Sequence, residues 1–238
     1  MPYRIHIAAC IAAVLSVATL TAAGQDRVSA LQRFLARAEE PPVEYRALRH
    51  LEATNAHFGA SAWMDAWTEF DRTNGLRYQV VGEGGNGYIR GKVLRAALDG
   101  EQKMWAAREP QRASLTPENY TFENQIAVTE GLAALGIKPR RKDVLLIDGT
   151  IYVEAGDGEL RRIEGRLSKS PSFWTRRVEI TRHYARLAGV RVPVSIESVA
   201  HVLIAGRSTF AMTYRYQTIN GQHVGDPRPE PGSTSTAH

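Results

Sequence analysis

Between Asp143 and Ile219 the chain alternates apolar and polar residues in one run after another, with almost no helical spacing between the runs. Ser208–Tyr216 shows the rule. Phe210, Met212, Tyr214 and Tyr216 fall on one side, and Thr209, Ala211, Thr213 and Arg215 on the other. Side chains alternate across a strand, so this spacing builds sheet with one apolar face. Such a face has to be covered, either by helices or by an apolar guest. No other feature of the chain constrains its fold as strongly.

The N-terminus reads as a targeting segment. Arg4 precedes Ile5–Leu20, a run broken only by His6, Ser16 and Thr19, and Thr21-Ala22-Ala23 supplies the small residues of a cleavage site. The pattern predicts a signal peptide over residues 1–23, cut after Ala23 or after Gly24. A membrane anchor is the alternative, but a spanning helix needs ~20 apolar residues, and this run is shorter and ends in small ones. Cys10 is the only cysteine. Ile7-Ala8-Ala9-Cys10 resembles a lipoprotein cleavage box, yet most of the apolar segment lies behind the cysteine rather than ahead of it. The processed chain then has no disulfide, and its stability rests on burial.

What remains is the length of one domain, taken as residues 24–224, followed by a Pro-, Gly- and Ser-rich tail over 225–238 expected to be disordered. The formal net charge is +5, with local clusters at Arg140-Arg141-Lys142, Arg161-Arg162 and Arg176-Arg177. For an exported protein these favour lipid headgroups or acidic protein surfaces. Nucleic acid is not expected, because no recognition motif is present.

Asp26–Glu40 is predicted as a helix, with Val28, Leu31, Leu35 and Ala38 at spacings of three and four and Pro41-Pro42 as its stop. Val43–Ala53 reads as a first strand, with Arg49 falling among the apolar positions Tyr45, Ala47, Leu51 and Ala53. Asn74-Gly75 joins Ala62–Asp71 to Leu76–Val81 as a hairpin. Gly87–Ala107 is predicted as a second helix with a stripe of Ile89, Val93, Leu94, Ala97 and Leu98, weakened at Gly100. Arg108–Leu135 is the least legible stretch; Glu130–Gly136 fits a turn of helix or a distorted strand. Thereafter Val144–Ile147 and Thr150–Val153 flank Asp148-Gly149, read as a tight hairpin. Leu160–Leu167, Phe173–Tyr184, Val192–Ile204 and Thr209–Ile219 complete the strands. Short connections between neighbours require antiparallel pairing.

Little in the sequence points to catalysis. Gly82-Glu83-Gly84-Gly85-Asn86-Gly87 has the spacing G-x-G-x-x-G before a helix, which would suit a dinucleotide phosphate. The strand before it belongs to an antiparallel hairpin, and no parallel partner with an acidic tip follows. A flexible turn is the simpler reading, and no cofactor is expected. His50, His57, His183, His201 and His223 lack metal-ligand spacing, and no G-x-S-x-G nucleophile elbow occurs. Trp63, Trp67, Phe173 and Trp174 are either core or part of a ligand cavity.

One further pattern runs along the chain: Leu145–Ile147, Asp148-Gly149 and Tyr152, then Arg162-Ile163-Glu164-Gly165, Ser170-Pro171-Ser172-Phe173-Trp174, Arg191-Val192-Pro193 and Tyr214–Tyr216. In this order it resembles the outer-membrane lipoprotein-sorting (LolA-like) superfamily over roughly residues 26–220. The resemblance implies an α+β fold: an incomplete, strongly curved antiparallel β-barrel with helices covering its concave side. It also implies a periplasmic, monomeric carrier or sensor that binds acyl chains or lipidated proteins without a cofactor. The stretch Thr121–Lys138 departs from the pattern, since Thr129–Leu135 alternates poorly.

If the concave face holds a ligand, the strand parity assigns its lining to Val178, Ile180, Ile196, Val202, Phe210, Met212 and Tyr214, with Met64, Phe70 and Tyr78 beside them. Three functional expectations follow. The first is a non-catalytic carrier or sensor whose partner is a lipid or lipidated protein, with a membrane surface or an inner-membrane protein as a further contact. The second is an envelope protein–protein module whose core is filled by its own side chains. The third, an enzyme, requires polar groups converging on the cavity wall.

Overall fold

The computed structural model describes residues 30–37, 39–107, 110–129, 131–173, 175–203 and 206–225. The expected signal peptide and nearly all of the expected tail lie outside them.

A single antiparallel sheet carries the molecule. Its strands are β1 (Glu44–Asn55), β2 (Ala60–Asp71), β3 (Gly75–Gly85), β4 (Tyr120–Thr129), β5 (Leu132–Pro139), β6 (Ile147–Glu154), β7 (Leu160–Leu167), β8 (Thr175–Leu187), β9 (Val190–Val202), β10 (Gly206–Ile219) and the short β11 (Gln222–His223). Their spatial order is β3-β2-β1-β10-β9-β8-β7-β6-β5-β4, with β11 alongside β10, so the sheet does not close. Two meanders, β1 to β3 and β4 to β10, are zipped together where β1 pairs with β10. The segment between β3 and β4 must therefore pass from one edge of the sheet to the other. It does so as a long helix followed by a turn-rich stretch.

The strand parity read from Ser208–Tyr216 holds. Met212, Tyr214 and Tyr216 are buried on the face that meets the long helix, and Thr213 is exposed. Across the ladder Met212 lies opposite Leu51, and Tyr214 opposite Arg49. Ile89, Leu94 and Leu98 from the helix close this first core. The helix runs Gly87–Ile89, Arg90–Arg95 and Ala96–Ala106, and its middle segment is π-helical. The five-residue step from Ile89 to Leu94 matches a π turn and the four-residue step to Leu98 an α turn, so all three face the sheet. The side chain of Asn86 caps the first turn, accepting from the Ile89 N–H at 3.1 Å.

A second core lies over the other half of the sheet. Residues 30–36 are helical, and Ala30 and Phe34 pack with Leu135, Ile137, Ile147, Ile151, Leu160 and Ile163. Between the two cores, β8 and β9 carry only one fully buried apolar side chain among the described residues, Val192. Val178, Ile180, Ile196 and Val202 stay half-buried. The apolar face is thus covered at both flanks and thinly covered at its centre.

Four local expectations need correction. Leu132–Gly136 is strand and not a turn of helix, and β5 pairs with β4 across one register shift between Asn124 and Val128. Ala133, Ala134, Leu135, Gly136 and Ile137 are all buried, so β5 has no polar face to alternate with. Asp148-Gly149 is not a turn but lies inside β6, where Gly149 pairs with Gly165. A Cβ on Gly149 would stand 2.0 Å from the Glu164 carbonyl oxygen, so glycine is needed for the close approach of β6 and β7. Val144 and Leu145 form a turn instead of a strand, held by Asp143, whose Oδ1 accepts from the Leu145 N–H at 3.0 Å. Gly82, Gly84 and Gly85 belong to β3 and not to a flexible turn. The Trp63 ring lies across Gly82 and Gly84, and a Cβ on Gly84 would meet its Nε1 at 2.6 Å, while a Cβ on Gly85 would meet the Ser61 carbonyl oxygen.

Candidate functional site

At one end of the thinly covered centre the sheet and the long helix part to leave a cavity of about 440 Å³. Three chain segments form it: the β1–β2 turn with Asn55, Phe58 and Ala60; the start of the helix with Tyr88, Ile89 and Val93; and the facing ends of β9 and β10 with Val202, Ser208 and Thr209. Its size falls within the ~300–1,000 Å³ typical of small-molecule sites.

The cavity wall exposes mainly apolar surface. Of its polar side chains, Asn55 Nδ2 donates to Ser208 Oγ at 2.8 Å and Asn86 accepts from the helix backbone, while Thr54 and Thr209 alternate to the other face of the sheet and meet there at 2.7 Å. Asn55 Oδ1 also accepts from the Phe58 N–H at 3.0 Å, which shapes the turn that carries Phe58. No carboxylate, imidazole or cationic side chain lines the space. What it offers a guest is methyl and ring surface, with Phe58 and Tyr88 standing at its rim, 64% and 73% exposed.

From Val202 the half-buried apolar row runs along the inner faces of β8 and β9. Val178 pairs with Ala200 and Ile180 with Ser198. The row ends at Arg182, opposite Ile163 on one side and Ile196 on the other. This guanidinium sits between the two cores, close enough to both Tyr120 and Tyr214 to bias their titration. Its Nε is shielded from solvent and has no hydrogen-bond partner. Beyond it lies an ionic cluster: buried Glu159 takes Arg37 at 2.8 Å and Arg186 at 2.6 Å, and Arg186 also meets Glu39. The centre of the sheet is therefore greasy at one end and charged at the other.

The ten residues assigned from sequence divide into three groups. Met64, Phe70, Met212 and Tyr214 lie in the closed core under the long helix. Tyr78, Ile196 and Phe210 pack against that core while staying partly exposed, and Ile180 does the same against the second core. Val178 and Val202 border the open centre, and only Val202 of the ten lines the cavity. Phe58 and Tyr88 were not assigned to a cavity, and Val93 was read only as part of the helix stripe, because the three converge from segments distant in the chain. One signal was available: Phe58 is a large apolar residue inside a turn, and Tyr88 lies off the helix stripe.

A larger hollow of about 850 Å³ crosses the opposite, polar face from β1 to β6. A twisted sheet is saddle-shaped, so each face is concave along one diagonal. Glu52, Glu164, Glu179 and Glu197 line this hollow together with Arg166 and Arg177. Several of its charges pair across or along strands, as in Arg166–Asp148 and Arg177–Glu179. On the same face His50 Nδ1 meets Asp65 at 2.7 Å beneath Trp63. Among the described residues no group of three or more His, Cys, Asp or Glu could hold a metal ion.

No protein-family model matches the chain, and no curated protein matches its sequence. Solved structures do resemble it. A LolA superfamily protein from Nitrosomonas europaea aligns over 85% of this chain and 94% of its own, at 9% identity and a TM-score of 0.42. A DUF1329 family protein from Desulfovibrio piger aligns over 83% and 93%, at 11% identity and a TM-score of 0.34. A domain from Vibrio parahaemolyticus described as an outer membrane lipoprotein-sorting protein aligns over 83% and 92%, at 12% identity and a TM-score of 0.35.

Proposed function

We propose that this chain is an exported, non-catalytic carrier or sensor that holds an acyl chain, free or attached to a lipid or protein, in the cavity between the long helix and the sheet. The observation that carries the reading is the wall itself. Asn55, Ser208 and Asn86 are hydrogen-bonded within the protein, the wall carries no charged side chain, and its mouth is flanked by exposed rings. Burying a methylene contributes ~0.8 kcal/mol, so eight of them contribute ~6 kcal/mol before the cost of ordering the chain. That suffices for reversible capture. The absence of converging charge on the wall supports binding without chemistry.

The experiment is native mass spectrometry of the protein after incubation with a lipid extract, repeated with Val202→Trp. Retained acyl ligand in the parent and none in the variant supports the reading. No ligand in either, with both folded, overturns it.

The second reading, an envelope protein–protein module, is favoured by the closed packing of Met64, Phe70, Met212 and Tyr214. Its basic pairs are not equally free to act. Arg161 is bound to Glu154, and Arg162 lies over the Tyr152 ring and meets Glu164. Arg176-Arg177 is the more exposed pair. Under this reading its charge reversal abolishes partner capture without touching lipid uptake.

A further inference from the structure

Four connections meet at the end of the sheet that holds the cavity mouth. The β1–β2 turn closes at Asn55 and Ala60. The pairing of Ala62 with Gly85 brings the start of the helix to the same edge. Val202 pairs with both Thr175 and Gly206, which places the β7–β8 loop beside the β9–β10 turn, and Asn55 pairs with Ser208 to join all four. Among the described residues each connection carries a large apolar side chain exposed to solvent: Phe58 at 64% exposure, Tyr88 at 73%, Phe173 at 86% and Leu203 at 42%. Exposed apolar residues scattered singly over a surface need no explanation. Here Phe58, Tyr88, Phe173 and Leu203 stand on one edge, across the strands from β2 to β8.

The charge on this edge is one-sided. Over residues 54–61, 83–93, 168–177 and 200–209 the sequence has six basic residues and one acidic residue. The acid, Glu83, is already taken by Arg90 at 2.9 Å and Arg95 at 2.7 Å. Lys92, Lys169, Arg176 and Arg207 are exposed around the four apolar tips, and Arg177 is exposed as well while pairing with Glu179 at 2.8 Å.

From this geometry we infer that the edge is a docking surface for an anionic lipid bilayer. Separate apolar tips set among cations do not form the continuous groove that a peptide or helix would fill. They match the interfacial layer of a membrane, where rings and aliphatic tips enter the acyl boundary and Lys and Arg hold the headgroup phosphates. Phe58 and Tyr88 also line the cavity, so docking presents the cavity mouth to the bilayer. The inference rests on exposure and charge alone and stands whether or not the cavity holds an acyl chain.

The test is vesicle flotation of the protein purified from a secreting host, its N-terminus mapped, against phosphatidylcholine vesicles with and without one-third phosphatidylglycerol. Each surface cation near an anionic bilayer is worth about a fivefold change in partitioning. The protein is expected to float with the anionic vesicles and to release as salt rises. Arg176→Glu with Arg177→Glu is expected to lower partitioning by about twentyfold or more, and Phe58→Ser with Phe173→Ser to lower it at unchanged charge. All variants share the parent N-terminus, so its contribution cancels. Absence of flotation with anionic vesicles, equal flotation with neutral ones, or full flotation of both double variants would overturn the inference. So would capture of a protein partner through these residues without vesicle binding. Ligand retention measured on the same samples separates this outcome from failure of the carrier reading.

Discussion

The guanidinium of Arg49 lies wholly buried in the first core and is gripped by Glu101 of the long helix, with Nη1 at 2.5 Å from one carboxylate oxygen and Nη2 at 3.1 Å from the other. Nη2 also donates to the Tyr45 hydroxyl at 2.8 Å, and the group stacks over the Tyr214 ring. Burial works most strongly against the charge, but the Glu101 carboxylate together with Tyr214 and Tyr45 outweighs it and holds Arg49 protonated. The same burial pushes the Tyr45 and Tyr214 hydroxyls well above their ordinary range. A cation placed among apolar positions of a strand is thus the point where the helix is pinned to the sheet.

Removing one partner is costlier than removing both. Glu101→Ala leaves a buried guanidinium uncompensated and is expected to cost about 3–5 kcal/mol. Arg49→Leu with Glu101→Leu is expected to restore most of that loss. Denaturant midpoints of the two variants at neutral pH check this; a Glu101→Ala loss under 1 kcal/mol would show that the pair does not pin the helix.

The glycines of β6 and β3 are expected to respond differently. At Gly149 the obstacle is backbone, so Gly149→Ala must push β6 from β7 and should cost about 2–4 kcal/mol. At Gly84 the obstacle is the Trp63 ring, which can turn aside. Gly84→Ala should cost about 1–2 kcal/mol and be relieved by Trp63→Leu, whereas no side-chain change should relieve Gly149→Ala. Unfolding curves of the single and paired variants make the comparison.

Acid should loosen the corner where residues 110–119 meet the turn before β6. Asp143 is buried there; burial alone would raise it, but the Leu145 N–H and Arg112 outweigh burial and hold it below the ordinary carboxylate range. A carboxyl depressed in the folded state stabilises fully above its unfolded value, ~3.9, and loses that contribution as pH falls through the lower folded value. Asp143→Asn should therefore be less stable than the parent at pH 6, with the gap closing below about pH 4. Thermal midpoints across that range read the effect directly.

Arg182 has no such compensation. Its Nε is buried without a partner at the centre of the sheet. Arg182→Leu is expected to be neutral or stabilising by up to about 1–2 kcal/mol. A clear loss of stability would mean that the guanidinium contributes through its outer nitrogens.

The β10 strand was legible because only one of its faces is covered, so its burial and its polarity share one period. The β5 strand was not, because Ala133 to Ile137 are buried on both faces and leave no alternation to read. Asp148-Gly149 and Gly82–Gly85 misled for a common reason. Glycine marks a turn when the backbone must bend and a strand when something must come close, and the close neighbours here are the backbone at Glu164-Gly165 for Gly149, the Trp63 ring for Gly82 and Gly84, and the Ser61 backbone for Gly85. Arg49 looked like a flaw in the β1 pattern because its partner lies 52 residues further on. The cavity was the least visible part. Strand parity identifies an inner face, but whether a helix fills it depends on where the helix crosses, and that left Val202 open while it closed over Met64 and Met212.

The most direct measurement is retention of an acyl ligand by the cavity. The protein is loaded with a long-chain fatty acid, freed of excess by gel filtration, and weighed intact beside Val202→Trp, with folding of both verified by circular dichroism. One bound acyl chain is predicted on the parent and none on the variant, whose indole occupies the space between Ile89, Val93 and Ser208. Equal retention by both, or none by either, would contradict it.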